Sequence, residues 1–83
     1  MDYILTQHAQ ELLSRRDIPI AWIERTLESP SKVEPDKIDD ALEHRMAGIP
    51  EHGHRVLRVI VNKTTNPVKV VTFYFDRSMR GKL

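Results

Sequence analysis

The hydrophobic period of this chain changes at Ser29-Pro30, and that change constrains the fold more than any other feature. Before it, apolar residues recur every three to four positions, the spacing of one helix face. After it come short runs rich in Val and Ile, the signature of strands. A chain with helical period first and strand period second belongs to the α+β class.

The first helix is predicted over residues 6–16. Thr6 is a suitable N-cap, and Ala9, Leu12 and Leu13 form a stripe that Ile4 and Leu5 extend backward. Arg15 and Arg16 place cations in the last turn, where the helix dipole favours them. Asp17-Ile18-Pro19 breaks the pattern and restarts it. Ile20, Ile23 and Leu27 then mark a second helix that stops near Glu28, because the residue before a proline avoids the helical region. So short a connection predicts an N-terminal two-helix hairpin.

Residues 31–34 read as a short edge strand and 35–41 as an acidic loop. Residues 42–47 alternate like a half-buried strand, and Pro50-Glu51-His52-Gly53 has turn chemistry. The strongest strands are 55–61 and 68–75, which should pair as a hairpin across the loop at Thr64-Thr65-Asn66-Pro67. The expected architecture is therefore a helical hairpin packed on a three- to four-stranded antiparallel sheet. The expected single domain is ordered over about 4–76, with 77–83 as a basic tail.

Size and composition narrow the functional classes. A chain of 83 residues is one domain with a thin core, so a site should lie on an open face or in a shallow cleft. Apolar residues at 40% are too many for disorder, and no apolar run approaches the ~20 residues of a membrane span. The start, Met1-Asp2-Tyr3-Ile4-Leu5, lacks the basic-then-apolar pattern of a signal peptide. Cysteine is absent, which excludes disulfides and thiolate metal sites and suits the cytoplasm. His52 and His54 would share a strand face, but no third ligand accompanies them, so neither metal nor cofactor is expected.

Strand parity selects the candidate site. Alternate residues share a face, so Val56, Arg58 and Ile60 lie together, as do Val70, Thr72 and Tyr74. The polar members, Arg58, Thr72 and Tyr74, suggest one shallow site. His8 projects from the helix stripe that seeks the sheet, and imidazole is the side chain best suited to proton transfer near neutral pH. Arg58 suits a phosphate clamp, since guanidinium meets phosphate in a bidentate way. The plainer alternatives are a core-edge histidine, an arginine paired with an acid, and ordinary strand residues at Thr72 and Tyr74.

His8-Ala9, Arg15-Arg16, Ile18 to Leu27 followed by Ser29-Pro30, and the closing run Val70-Val71-Thr72-Phe73-Tyr74 resemble the domain of unknown function 4258 family. The resemblance spans about Tyr3 to Phe75. Through that family's grouping with RelE-like and barnase-like ribonuclease folds, it implies a bacterial toxin that cleaves RNA without a metal ion. His8, Arg58 and Thr72 would then be catalytic, and Arg45, Tyr74, Arg77 and Arg80 would bind substrate. RNA and an acidic antitoxin-like protein are the implied partners. A non-catalytic RNA- or protein-binding module on the same scaffold is the alternative. The net charge of +1 departs from the strongly basic composition of such toxins and predicts weak, salt-sensitive RNA affinity.

Overall fold

Thr6 begins the first helix by satisfying three groups at once. Its Oγ1 accepts from the Ala9 N–H at 3.2 Å and donates to the Val71 carbonyl, while its own N–H donates to the Val70 carbonyl. The computed structural model describes residues 2–83. Its elements are β1 (Tyr3–Leu5), α1 (Gln7–Arg15), α2 (Ile20–Glu28), β2 (Lys32–Pro35), β3 (Leu42–Ile49), β4 (Arg55–Asn62) and β5 (Val68–Phe75). Single 3-10 turns follow at Pro50–His52 and Arg77–Met79.

The five strands form one sheet in the order β1-β5-β4-β3-β2. The last four strands pair antiparallel, whereas β1 runs parallel to β5, with Leu5 opposite Val70. The sheet is thus mixed rather than purely antiparallel, and one strand larger than expected. Tyr3 to Leu5 do not extend the helix. A three-residue strand lacks the length to show a period, and its partner lies at the other end of the chain.

The helices do not pack on each other as a hairpin. α1 lies on β5 and β1, and α2 lies on β3 and β4. Each helix buries its apolar stripe against the sheet. Ala9, Leu12, Ile23 and Leu27 meet Leu57, Val59, Val61, Val70 and Phe73, all buried. Thr26 is fully buried among them and donates its hydroxyl to the Trp22 carbonyl, four residues back, so it carries no unmet group.

β5 departs from simple alternation. Val61 faces Val70 but Ile60 faces Thr72, so Val71 is an extra residue, a β-bulge. Val70 therefore joins Phe73 in the core, and the parity that grouped it with Thr72 and Tyr74 fails at that point. Between β3 and β4 the chain turns through two residues of positive φ, Gly53 at 63° and His54 at 57°. Gly53 adopts that conformation at no steric cost. Among the described residues, no helix is long and apolar enough to cross a membrane.

Candidate functional site

The sheet face turned away from the helices carries the candidate residues. Cross-strand register places Glu34, His44, Ile60 and Thr72 in one row, and Lys32, Met46, Arg58 and Tyr74 in the next. Arg58, Thr72 and Tyr74 thus share this outer face. Thr72 and Arg58 are diagonal neighbours, about 7–8 Å apart between Cα atoms by sheet geometry.

His8 reaches this face around the edge of the sheet. β1 ends opposite Val70, so β5 is an open edge from Val71 onward. α1 covers that edge in place of a strand. Thr6 bonds the Val71 carbonyl, His8 Nε2 lies 3.3 Å from Thr72 Oγ1, and Arg16 donates to the Phe73 carbonyl at 3.1 Å. The His8 ring is exposed, so its other nitrogen is open to solvent or ligand.

Arg58 is held in place. Its Nε and Nη2 both donate to Asp76 Oδ2 at 2.8 Å, and its Nη1 donates to His44 Nδ1 at 2.8 Å. Arginine has no acceptor atom, so His44 Nδ1 must accept. The remaining ring nitrogen then carries the proton, and Nε2–H donates to Asp36 Oδ1 at 2.7 Å. The result is a chain Asp36–His44–Arg58–Asp76 across the outer face. Two of the five guanidinium N–H donors make no hydrogen bond in this network, and Glu34 Oε2 lies 3.9 Å from Nη1 as a second carboxylate beside them. Met46, opposite Arg58, is fully buried beneath this polar layer.

Three of these partners were not legible as such. Asp76 lies just before the basic tail, Asp36 within the acidic loop, and His44 within the alternating segment 42–47. β3–β4 register brings His44 to Arg58, β2–β3 pairing brings Asp36 to His44, and β4–β5 pairing brings Asp76 to Arg58. Arg45, next to His44, points to the other face, as alternation requires. There it donates to Glu43 at 3.0 Å and to the Leu27 carbonyl at 3.1 Å, where it caps the end of α2. It does not join Arg58. Arg77 and Arg80 lie at the end of the sheet beside Asp76. His52 does not pair with His54 but stacks beside Phe75 with ring centroids 4.7 Å apart. Among the described residues no three His, Asp or Glu side chains gather as a metal site.

The carboxylates around this network are held in their charged form. Backbone N–H donation from Asp39, then the His44 contact, brings Asp36 down to about 2. Hydrogen bonding from Ser78 and then Arg58 lowers Asp76, and the Lys32 contact lowers Glu34. On the other face, the Arg25 fork brings Glu51 down to about 2. Depressed carboxylate values contribute stability that is present above the unfolded value and lost as pH falls through the folded one. The thermal midpoint is therefore expected to fall between pH ~4.5 and pH ~2. Followed by circular dichroism, the Asp36→Asn variant should lose less over that window than the parent chain; an equal loss would show that Asp36 is not one of the groups responsible.

These features define a class: a small α+β domain with two helices on one face of a mixed five-stranded sheet and a polar network on the other. The family model described as Domain of unknown function (DUF4258) matches residues 5–75, and the chain belongs to that family. No curated protein and no solved structure matches the chain.

Proposed function

We propose that the chain is a metal-independent endoribonuclease of the RelE-like type, acting on the outer face of its sheet. The contact of His8 with Thr72 at the open edge of β5, on the face that carries Arg58 and Tyr74, supports this reading. Cleavage by a ribose 2′-hydroxyl needs a group to take its proton, a group to protonate the leaving 5′-oxygen, and positive charge for the phosphorane between them. His8 takes the proton, with its ring oriented by the Thr72 hydroxyl. Arg58 presents its two remaining donors to the phosphate. Tyr74, paired across the strands with Arg58, protonates the leaving oxygen in this reading.

Incubation of a short unstructured RNA with the purified chain in the presence of a chelator tests this. Products ending in 2′,3′-cyclic phosphate are expected. His8→Ala should slow their formation at least about 100-fold. Because His8 is exposed, the same change should alter stability by no more than about 0.5 kcal/mol. An unchanged rate in His8→Ala would end the catalytic reading.

One observation favours a second reading, a non-catalytic RNA-binding module. Asp76 balances the charge of Arg58, so the outer face offers a transition state less positive charge than a free guanidinium would. On that reading His8→Ala leaves RNA binding intact and there is no turnover to lose.

A further inference from the structure

Beyond Asp76, the ends of β4 and β5 form a cleft of about 420 Å³ lined by Arg55, Val56, Phe75, Asp76, Arg77 and Arg80. That volume is within the range of small-ligand sites, roughly 300–1,000 Å³. Half of its lining side chains are guanidinium groups. All three are exposed, and among the described residues none pairs with a carboxylate. The one carboxylate present is already engaged. Asp76 Oδ2 holds Arg58, and its Oδ1 accepts from the Ser78 N–H and hydroxyl. The cleft is therefore strongly cationic although the whole chain carries only +1.

Its apolar lining is Val56 and the ring of Phe75. Phe75 is half-buried, with His52 4.7 Å away and Trp22 6.2 Å away between ring centroids; Trp22 and His52 are 5.6 Å apart. An aromatic ring beside unpaired arginines is a combination that binds single-stranded nucleic acid, by stacking on a base and neutralising its phosphate. A carboxylate or sulfate ligand would use the arginines and leave the Phe75 ring idle. A base in a duplex has both faces covered by its neighbours and offers none to Phe75.

We infer that this cleft is a nucleotide subsite: one unpaired base lies against Phe75 and a phosphate is held among Arg55, Arg77 and Arg80. The inference rests on the RNA reading above and deepens it by naming the substrate as single-stranded. Asp76 belongs to both places, so the subsite takes a nucleotide close to the phosphodiester at Arg58. It also answers the weak net charge, because affinity is concentrated in one cleft instead of spread over the surface.

The chain has a single tryptophan, Trp22, which makes its emission a local reporter of the aromatic cluster. Adenosine 5′-monophosphate is expected to change Trp22 emission saturably. Inorganic phosphate alone should not, and adenosine alone should bind at least about tenfold more weakly. The double variant Arg77→Ala/Arg80→Ala should weaken mononucleotide binding at least about tenfold, as should Phe75→Leu, which keeps an apolar side chain for the core. Each variant is first checked for an unchanged circular dichroism spectrum. In parallel, fluorescence anisotropy with an uncleavable 2′-O-methyl RNA should show tighter binding of the single strand than of its duplex, and a shallower salt dependence in the double-arginine variant.

Equal binding of phosphate and mononucleotide would reduce the cleft to an anion site and overturn the inference. So would RNA cleavage by the parent chain with mononucleotide affinity unmoved in both variants, an outcome that leaves the ribonuclease reading standing. Mononucleotide binding lost in both variants, with no RNA cleavage by the parent chain, would instead uphold the subsite and end the ribonuclease reading.

Discussion

Arg58→Ala is expected to destabilise the fold by about 2–4 kcal/mol and to lower the thermal midpoint by roughly 10–20 °C. The Arg58 and Asp76 side chains are only 11% and 13% exposed. Removing the guanidinium strands the Asp76 carboxylate in a site with little water and leaves His44 Nδ1 without its donor. Breaking a fully buried pair costs about 3–5 kcal/mol, and the residual exposure here brings the figure down. Thermal and urea unfolding of Arg58→Ala, Asp76→Asn and the double variant would measure the coupling. The double variant should be more stable than Arg58→Ala, since the orphaned charge is gone. A cost under about 1 kcal/mol for Arg58→Ala would mean that this arginine is solvated. For function, the consequence is direct. Loss of RNA cleavage in Arg58→Ala would report unfolding as much as a lost phosphate contact, so His8→Ala is the better probe of chemistry.

Phe73→Ala should cost about 3–5 kcal/mol. The ring is fully buried and lies opposite Val59 at the centre of the helix-facing core. A domain of this length has about 4–12 kcal/mol of stability in all, so the variant should lose at least about a quarter of it, and all of it if the parent chain sits at the low end. Phe73→Leu, which keeps most of the volume, should cost less than about 1.5 kcal/mol. Far-ultraviolet circular dichroism on heating distinguishes the two. A cost below 1 kcal/mol in Phe73→Ala would place the ring outside the core and contradict the β5 register described above.

How much of this was readable depended on whether a feature is local. Helical spacing put Ala9, Leu12, Ile23 and Leu27 on inward faces, and they are buried. Alternation on β4 separated Leu57, Val59 and Val61 from Arg58, and that separation is the boundary between core and outer face. On β5 the same alternation gave Val70 the wrong face. The bulge at Val71 sits where Thr6 bonds the Val70 and Val71 carbonyls, and a residue so distant in sequence leaves no local trace. The expected helical hairpin fails for a similar reason. A short connection limits how far apart two helices lie but not which surface each one buries.

Period, capping chemistry and β propensity act within a few residues, so the sequence by itself determined the two helices, the strong strands β4 and β5, the alternating segment of β3 and their α+β class. Those same local forces singled out Arg58, Thr72 and His8 as polar groups in apolar surroundings. Register, strand order and edge closure depend on residues far apart in the chain, and these only the tertiary structure decided. It made β1 a parallel edge strand, wrapped α1 around the open end of β5 to set His8 against Thr72, and turned Arg45 to the far face. It also drew Asp36, His44 and Asp76 to Arg58, because a buried guanidinium needs partners and the chain supplied them from three separate segments.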